Sequence, residues 1–266
     1  MSSESLSSVE GEEAQQTIGL ISNMEARADH QMTKRFRLLH GIATGLGVTL
    51  VVLVLTWCLV YRNGFGWENP DLEFNWHPML MVSGLIFIYS QAMLIYRTAR
   101  HGKKRVLKLT HAVLHFVAFI FTVIALKAAF DSHNYATPPK PNLYTLHSWI
   151  GLITVILFSY QFLSGFITFL FPGLSREIRS AYLPVHAHFG SAIFFMAIVS
   201  AMMGLAEKAI WGVNAYNTYP PEGIFMNFMG VILVCLGAIV IYLINDSTYK
   251  RVALPEEEIT LTDTTE

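Results

Sequence analysis

Residues 143–171 read LYTLHSWIGLITVILFSYQFLSGFITFLF, with no acidic or basic side chain apart from one histidine near the start. As a helix rising 1.5 Å per residue, this stretch is about 43 Å long, more than the roughly 30 Å of hydrocarbon in a bilayer. Working outward, five more apolar stretches lie near Leu38–Tyr61, Trp76–Tyr96, Leu109–Phe130, Leu183–Ala206 and Gly223–Ile244, joined by short connections. The chain is 53% hydrophobic and only 14% charged, a composition foreign to soluble globular domains. The fold class expected is therefore an all-α membrane protein of six transmembrane helices. Residues 1–36 read as a polar N-terminal tail, 37–246 as one six-helix membrane domain, and 247–266 as an acidic C-terminal tail.

Fourteen of the 18 Lys and Arg residues fall in the two tails or in the connections after the second and fourth stretches; Arg62, Lys127, Lys140 and Lys208 remain for the opposite side. The positive-inside rule then puts both termini in the cytoplasm. The first 35 residues are polar and rich in Ser and Glu, unlike a cleavable signal, so the first helix is expected to act as an uncleaved anchor. The sequon Asn245-Asp246-Ser247 falls on the cytoplasmic side and is expected to stay unmodified. Cys58 and Cys235 lie in helices at different depths, which disfavours a disulfide, and two thiols exclude a thiolate zinc or iron–sulfur site. Net charge is −1 and no basic stripe stands apart from the membrane flanks, which argues against a nucleic-acid partner.

His77, His111, His147 and His186 each stand within about a turn of the start of an apolar stretch. Successive helices run in opposite directions. His77 and His147 therefore share the outer layer, and His111 and His186 the cytoplasmic layer. A lone intramembrane histidine reads as a hydrogen-bonded structural residue. Four at matched depths on four consecutive helices read better as two pairs, each clamping one haem iron. The layers would be roughly 20 Å apart along the normal. Bis-histidine iron has no open position, which suits electron transfer rather than oxygen activation. Zinc fits worse, because no Asp or Glu shares either layer. Gly84, Gly151 and Gly190 return to the faces of these histidines, and two readings stand: room for a macrocycle edge, or ordinary helix packing. His115 lies on the face of His111 but deeper and suits a hydrogen bond. His188 points about 200° away from His186. His30 and His101 read as solvated, and His40 as interfacial.

Several motifs carry a family resemblance. They are Phe74-Asn75-Trp76-His77-Pro78, Ala92-Met93-Leu94-Ile95-Tyr96-Arg97, Lys108-x-x-His111, Leu146-His147-Ser148-Trp149-x-Gly151, Leu183-Pro184-x-His186 and Tyr219-Pro220-Pro221-Glu222-Gly223. Over roughly residues 35–252 the chain resembles the cytochrome b561 family. The resemblance implies six helices, with helices two to five forming a four-helix bundle around two b haems, ligated by His77–His147 and His111–His186. It further implies an ascorbate-dependent transmembrane oxidoreductase, often a homodimer. Cytoplasmic ascorbate would supply the electron, and monodehydroascorbate or a ferric chelate would accept it on the other side. A secretory vesicle, endolysosomal or plasma membrane would suit it equally. Thr145 stands where relatives commonly have Ser, a departure that keeps the hydroxyl.

Ascorbate is an anion at neutral pH, so its site should be cationic. Arg97, Arg100, Lys104, Lys108 and Arg179 surround the cytoplasmic layer, and Lys104 and Lys108 share a helix face. The resemblance implies that Lys104, Lys108 and Arg179 bind ascorbate and that Arg97 belongs with the cofactor. The plainer reading makes all five topology-setting charges that meet lipid headgroups. On the outer side the resemblance implies that His133 and Tyr144 border the acceptor site, with His133 able to pass a proton. The alternative for His133 is a loop-capping role. Lys127 is open to snorkelling or to weak anion attraction. Among other function classes, a histidine-relay metal or proton transporter would need a continuous polar path, and the interior between the layers reads as apolar. A haem-binding subunit of a larger respiratory complex would need docking surface that such short loops scarcely offer.

Overall fold

The computed structural model describes residues 3–251. The acidic segment Glu256–Glu266 lies outside the described residues, and of the expected C-terminal tail only residues 247–251 are described. Every regular element among the described residues is helical, and six helical stretches are long and apolar enough to span a bilayer. Five of the six run past their apolar windows, because hydropathy marks only the lipid slab while Lys, Arg and Glu at the flanks propagate a helix well; the fourth, Leu146–Phe169, stops just inside its window at both ends. Thus α5, Lys104–Asn134, and α7, Arg176–Gly212, both extend well beyond the windows read from the sequence. The helix α1 is continuous from Ser3 to Tyr61, so the polar N-terminal stretch and the first span are one rod.

The second span, Pro70–Thr98, is assembled from pieces. Helix α2, Pro70–Phe74, starts with the Asn69 side chain accepting from the Asp71 N–H at 2.9 Å, and with proline at the first helical position. Helix α3, Trp76–Met81, leads into a π-helical segment at Val82–Ile88, and α4, Tyr89–Thr98, completes the span. Asn75, between α2 and α3, is buried and donates to the carbonyls of Arg62 and Gly64 at 3.0 and 2.6 Å. Those carbonyls come from a turn where Asn63 and Gly64 both have positive φ. The pieces pack on α5. Helix α6, Leu146–Phe169, packs on α7, and α8, Pro221–Asn245, packs on α1 and α7. The centre is mainly apolar: Leu85, Ile86, Tyr89, Ala118, Phe158, Ile193, Phe194 and Ala197 are all buried, with Ser90, His115, Thr122 and Thr154 among the few polar side chains buried beside them.

The bundle has two polar ends. At one, Arg100 pairs with Asp29 at 3.1 Å, Phe36 packs on Tyr249, and Arg251 donates to the Gly102 carbonyl. Residues 29–36 of α1, residues 249–251 and the loop after the second span therefore meet there; this is the tail end. At the other, the loop end, Glu222 accepts from Arg62 at 2.5 Å and from the Trp57 indole N–H at 2.8 Å. Glu222 belongs to the Tyr-Pro-Pro-Glu-Gly motif, whose work here is to tie the first span to the last. Gly223 in the same motif leaves room for the Tyr216 ring, which an added Cβ would meet at 2.7 Å.

Candidate functional site

Four histidines on four spans meet in two pairs. The ring centres of His77 and His147 are 6.1 Å apart at the loop end, and those of His111 and His186 are 6.3 Å apart toward the tail end. A metal–imidazole bond is about 2 Å and the ring centre lies about 1 Å beyond the nitrogen, so two rings clamping one ion stand about 6 Å apart. Both pairs meet that spacing. Three of the rings are also oriented for ligation. His77 Nδ1 donates to the Ala125 carbonyl at 3.2 Å, His111 Nδ1 to Ala92 at 2.7 Å, and His147 Nδ1 to Ser200 at 2.8 Å. Such a bond fixes the tautomer and leaves Nε2 free to coordinate. The fourth ring, His186, has no hydrogen-bond partner on its buried Nδ1 among the described residues and is held by the rings of Phe169 and Tyr182.

Local sequence explains why the rings stand where they do. Thr145 caps α6: its hydroxyl accepts from the Ser148 N–H at 3.2 Å, and the Ser148 hydroxyl accepts from the Thr145 N–H at 3.1 Å. This reciprocal box brackets His147 and gives the hydroxyl kept at position 145 a definite task. On the other side of the ring stands Gly204, where an added Cβ would lie 2.7 Å from His147 Cε1. Gly165 stands against His186 in the same way, at 2.7 Å from its Cε1. These two glycines, one on α6 and one on α7, make room for the imidazole rings themselves, a different clearance from the macrocycle edge considered for Gly84, Gly151 and Gly190. Those three instead face Phe121 and Ala118, Ser200, and Gln161. The signal was present, since His147 to Gly165 and His186 to Gly204 are both eighteen residues, five full turns and hence one face. It was missed because the glycine serves the histidine of the neighbouring helix, not its own.

A cavity of about 580 Å³ opens at the loop end and is bordered by His77 and His147. That volume lies within the range that holds a ligand of a few tens of atoms. Facing rings at bis-ligand spacing, donated Nδ1 protons and glycine clearance together fit haem. His133, Tyr144 and Thr145 also border the cavity, so the outer residues expected from the sequence do converge there. The Tyr144 ring stacks on Trp211 at 6.0 Å. Lys140 and Lys208 border it as well, and the sequence reading gave them no site role. Lys127 does not: it pairs with Asp131 at 2.5 Å and with Glu73 at 3.5 Å.

At the tail end, Lys108 donates to the Phe169 carbonyl at 2.8 Å, close to His186, and the charges of Arg179 and Lys104 act on it. Those three cations are brought together. Arg100 and Arg97 are not part of the group. Arg100 is engaged with Asp29, and Arg97 donates to the carbonyls of Ile244 and Asp246 at the C-terminus of α8. A cation capping the negative end of a helix dipole accounts for Arg97 by itself. His115 packs edge-on against His111 and Tyr89 at 4.5 and 4.7 Å, and its buried Nδ1 finds no partner among the described residues, contrary to the hydrogen bond expected of it. His188 is exposed on the far side of α7 from His186, as its spacing predicts. Both cysteines are free.

The profile of eukaryotic cytochrome b561 matches residues 76–212. The chain is 41% identical over 217 residues to the transmembrane ascorbate-dependent reductase CYB561 of Mus musculus, covering 80% of this chain and 84% of that one. It is 42% identical over 210 residues to the plasma membrane ascorbate-dependent reductase CYBRD1 of Xenopus laevis, covering 77% and 74%. Over 212 residues it is 39% identical to the lysosomal membrane ascorbate-dependent ferrireductase CYB561A3 of Bos taurus, covering 77% and 79%.

Proposed function

The chain belongs to the eukaryotic cytochrome b561 family, and from that premise we propose that it carries single electrons from cytoplasmic ascorbate, through two bis-histidine b haems, to an acceptor across the membrane. That it is a haem-binding integral membrane protein acting as an ascorbate-dependent transmembrane reductase follows from the family and from relatives so named. The observation that carries the finer reading is the pair of facing imidazoles at each end of one bundle, 6.1 and 6.3 Å apart. His77 and His147 would hold the outer haem, and His111 and His186 the cytoplasmic one. The group, when bound, would supply a one-electron iron couple.

The chain's own residues do the rest. The carbonyls of Ala125, Ala92 and Ser200 hold three imidazoles as Nδ1–H tautomers. The apolar centre around Phe158, Ile193 and Phe194 keeps water and protons from crossing with the electron. It also speaks against a histidine-relay transporter, which needs a polar path there. Lys108, Lys104 and Arg179 form the cationic group that attracts the ascorbate anion, and Lys108 reaches nearest to His186 through Phe169. Arg97 and Arg100 support that end structurally rather than by contact with substrate. At the loop end, His133 and Tyr144 border the acceptor cavity; His133 is placed to supply the proton that monodehydroascorbate takes with its electron. The distribution of Lys and Arg supports a cytoplasmic tail end and cytoplasmic termini. A homodimer rests on the family resemblance, and monodehydroascorbate and ferric chelates both remain within this reading as acceptors.

The test is the absorption spectrum and haem content of the purified protein with His147→Ala beside it. Two b haems per chain, reduced by ascorbate, with one lost in the variant, are expected. Two haems retained in His147→Ala would overturn the assignment.

A further inference from the structure

The charges at the mouth of the outer cavity are uneven in a way the motifs do not reveal. Around Lys208 act two further cations, Arg62 and Lys140, and two carboxylates, Asp71 and Glu222. Arg62 is taken by Glu222 at 2.5 Å, and Lys140 by Asp71 at 3.6 Å. Lys208 has no carboxylate within ion-pair distance among the described residues. Its ammonium instead lies 4.3 Å from the centre of the Phe74 ring, which is itself 5.8 Å from the His77 ring. Its stem rests along Gly212, where an added Cβ would meet Cδ and Cε at 3.4 Å and the Arg62 guanidinium at 3.3 Å. Glu207 also borders the cavity, but it sits one residue back, about 100° round the helix, and makes no ion pair with Lys208.

We infer that Lys208 is the residue that selects the outer acceptor, binding it as an anion through a carboxylate or enolate oxygen over the cavity that His77 and His147 border. The inference rests on the reading of that end as the electron-delivering side. A cation whose neighbouring carboxylates are engaged by other cations, and which is held over an aromatic face, gains most from a mobile anion, which can enter where no side-chain carboxylate reaches. A ferric carboxylate chelate and monodehydroascorbate share this chemistry. The chelate takes one electron, ferric iron becoming ferrous with no bond broken. Monodehydroascorbate takes one electron and one proton to return to ascorbate. In either case the electron comes from ascorbate oxidised on the opposite face. A cationic complex gains nothing from Lys208 and is repelled by it.

The test uses proteoliposomes loaded with ascorbate, with the acceptor added outside, and compares the wild type with Lys208→Gln and Lys208→Arg. The half-saturating concentration of ferric citrate is expected to rise about tenfold in Lys208→Gln, equivalent to about 1.4 kcal/mol, and to recover in Lys208→Arg. Hexaammineruthenium(III), a cationic acceptor, should react no more slowly with the variant. Equilibrium binding of gallium citrate, a redox-inert mimic, should weaken by the same factor. A loss with ferric citrate, with or without a matching loss for monodehydroascorbate, supports the inference, and the pattern names the acceptor. Equal slowing toward anionic and cationic acceptors, or unchanged gallium citrate binding, would overturn it. Because gallium citrate binding needs no electron transfer, failure of the inference is distinguishable from failure of ascorbate to reduce the haems.

Discussion

Replacing Gly204 with alanine adds a single methyl group, and the structure says which histidine must answer for it. The new Cβ would lie 2.7 Å from His147 Cε1, 2.9 Å from Nδ1 and 3.2 Å from Nε2. Non-bonded carbon atoms settle at about 3.5–4.0 Å, so the ring has to retreat by about 1 Å. Its Nδ1–H bond to the Ser200 carbonyl, now 2.8 Å, then leaves bonding range. Overpacking costs about 1–3 kcal/mol and the lost bond about 1 kcal/mol, together about 2–4 kcal/mol charged to one ligand. That is about a thirty- to thousandfold weaker hold on the outer haem. Gly165→Ala makes the same collision with His186 and should weaken the other haem alone. The assay is transfer of haem to apomyoglobin, followed with a potentiometric titration that resolves the two components; His147→Ala and His186→Ala identify which is which. Gly41→Ala is the control, since an added Cβ there meets nothing within 4 Å. The reasoning fails if Gly204→Ala and Gly165→Ala disturb the same component, or if neither differs from Gly41→Ala.

Three further outcomes follow from other contacts. Lys108→Ala should slow reduction by ascorbate about tenfold while leaving reduction by dithionite intact, read by stopped-flow absorbance; equal slowing by both reductants would make Lys108 a helix cap and nothing more. Thr145→Val removes the acceptor for the Ser148 N–H and should cost about 1 kcal/mol at the start of α6, seen as faster haem loss from the outer site with Thr145→Ser as rescue. Glu222→Gln removes the charge that answers Arg62 while keeping an acceptor for Trp57, and should lower thermal stability by about 2 kcal/mol, measured by thermal unfolding, with haem content at low temperature unchanged.

The six spans and the four histidines were legible in the sequence because each rests on a local signal. A window of apolar residues sets a span, and chain reversal at each connection sorts His77 with His147 and His111 with His186. What escaped was whatever depends on the neighbouring helix. Gly165 and Gly204 serve histidines on each other's helices. The carbonyl partners at Ala92, Ala125 and Ser200 carry no side-chain mark at all. Lys208 read as one of a few outer charges, because its lack of a carboxylate partner among the described residues is visible only once Arg62 and Lys140 are seen to be taken. Arg97 was read from its motif as a cofactor residue, yet its guanidinium goes to the end of α8, a destination 147 positions or more along the chain. Helix existence is local information, whereas pairing of charges and carbonyls is not.

The interval between the two histidine layers is itself a product of this cross-helix bonding. His111 stands fourteen residues before Ala125, the residue whose carbonyl holds His77, and His186 stands fourteen before Ser200, whose carbonyl holds His147. Fourteen residues of α-helix span about 21 Å, and both intervals therefore fix the same layer separation. The second span should obey the same rule, yet His77 stands fifteen residues before Ala92, whose carbonyl holds His111. Its extra residue falls within the span that contains the π-helical segment Val82–Ile88, and a π turn is the local structure that absorbs one residue without lengthening the helix in step. A straight α-helix there would carry the Ala92 carbonyl about 100° round and 1.5 Å beyond its place beside His111. The widened turn is thus what lets a span with a fifteen-residue interval register with neighbours that keep fourteen. On the proposed function, two ligand layers held by backbone carbonyls at one spacing would hold the two haems at a fixed separation for the electron.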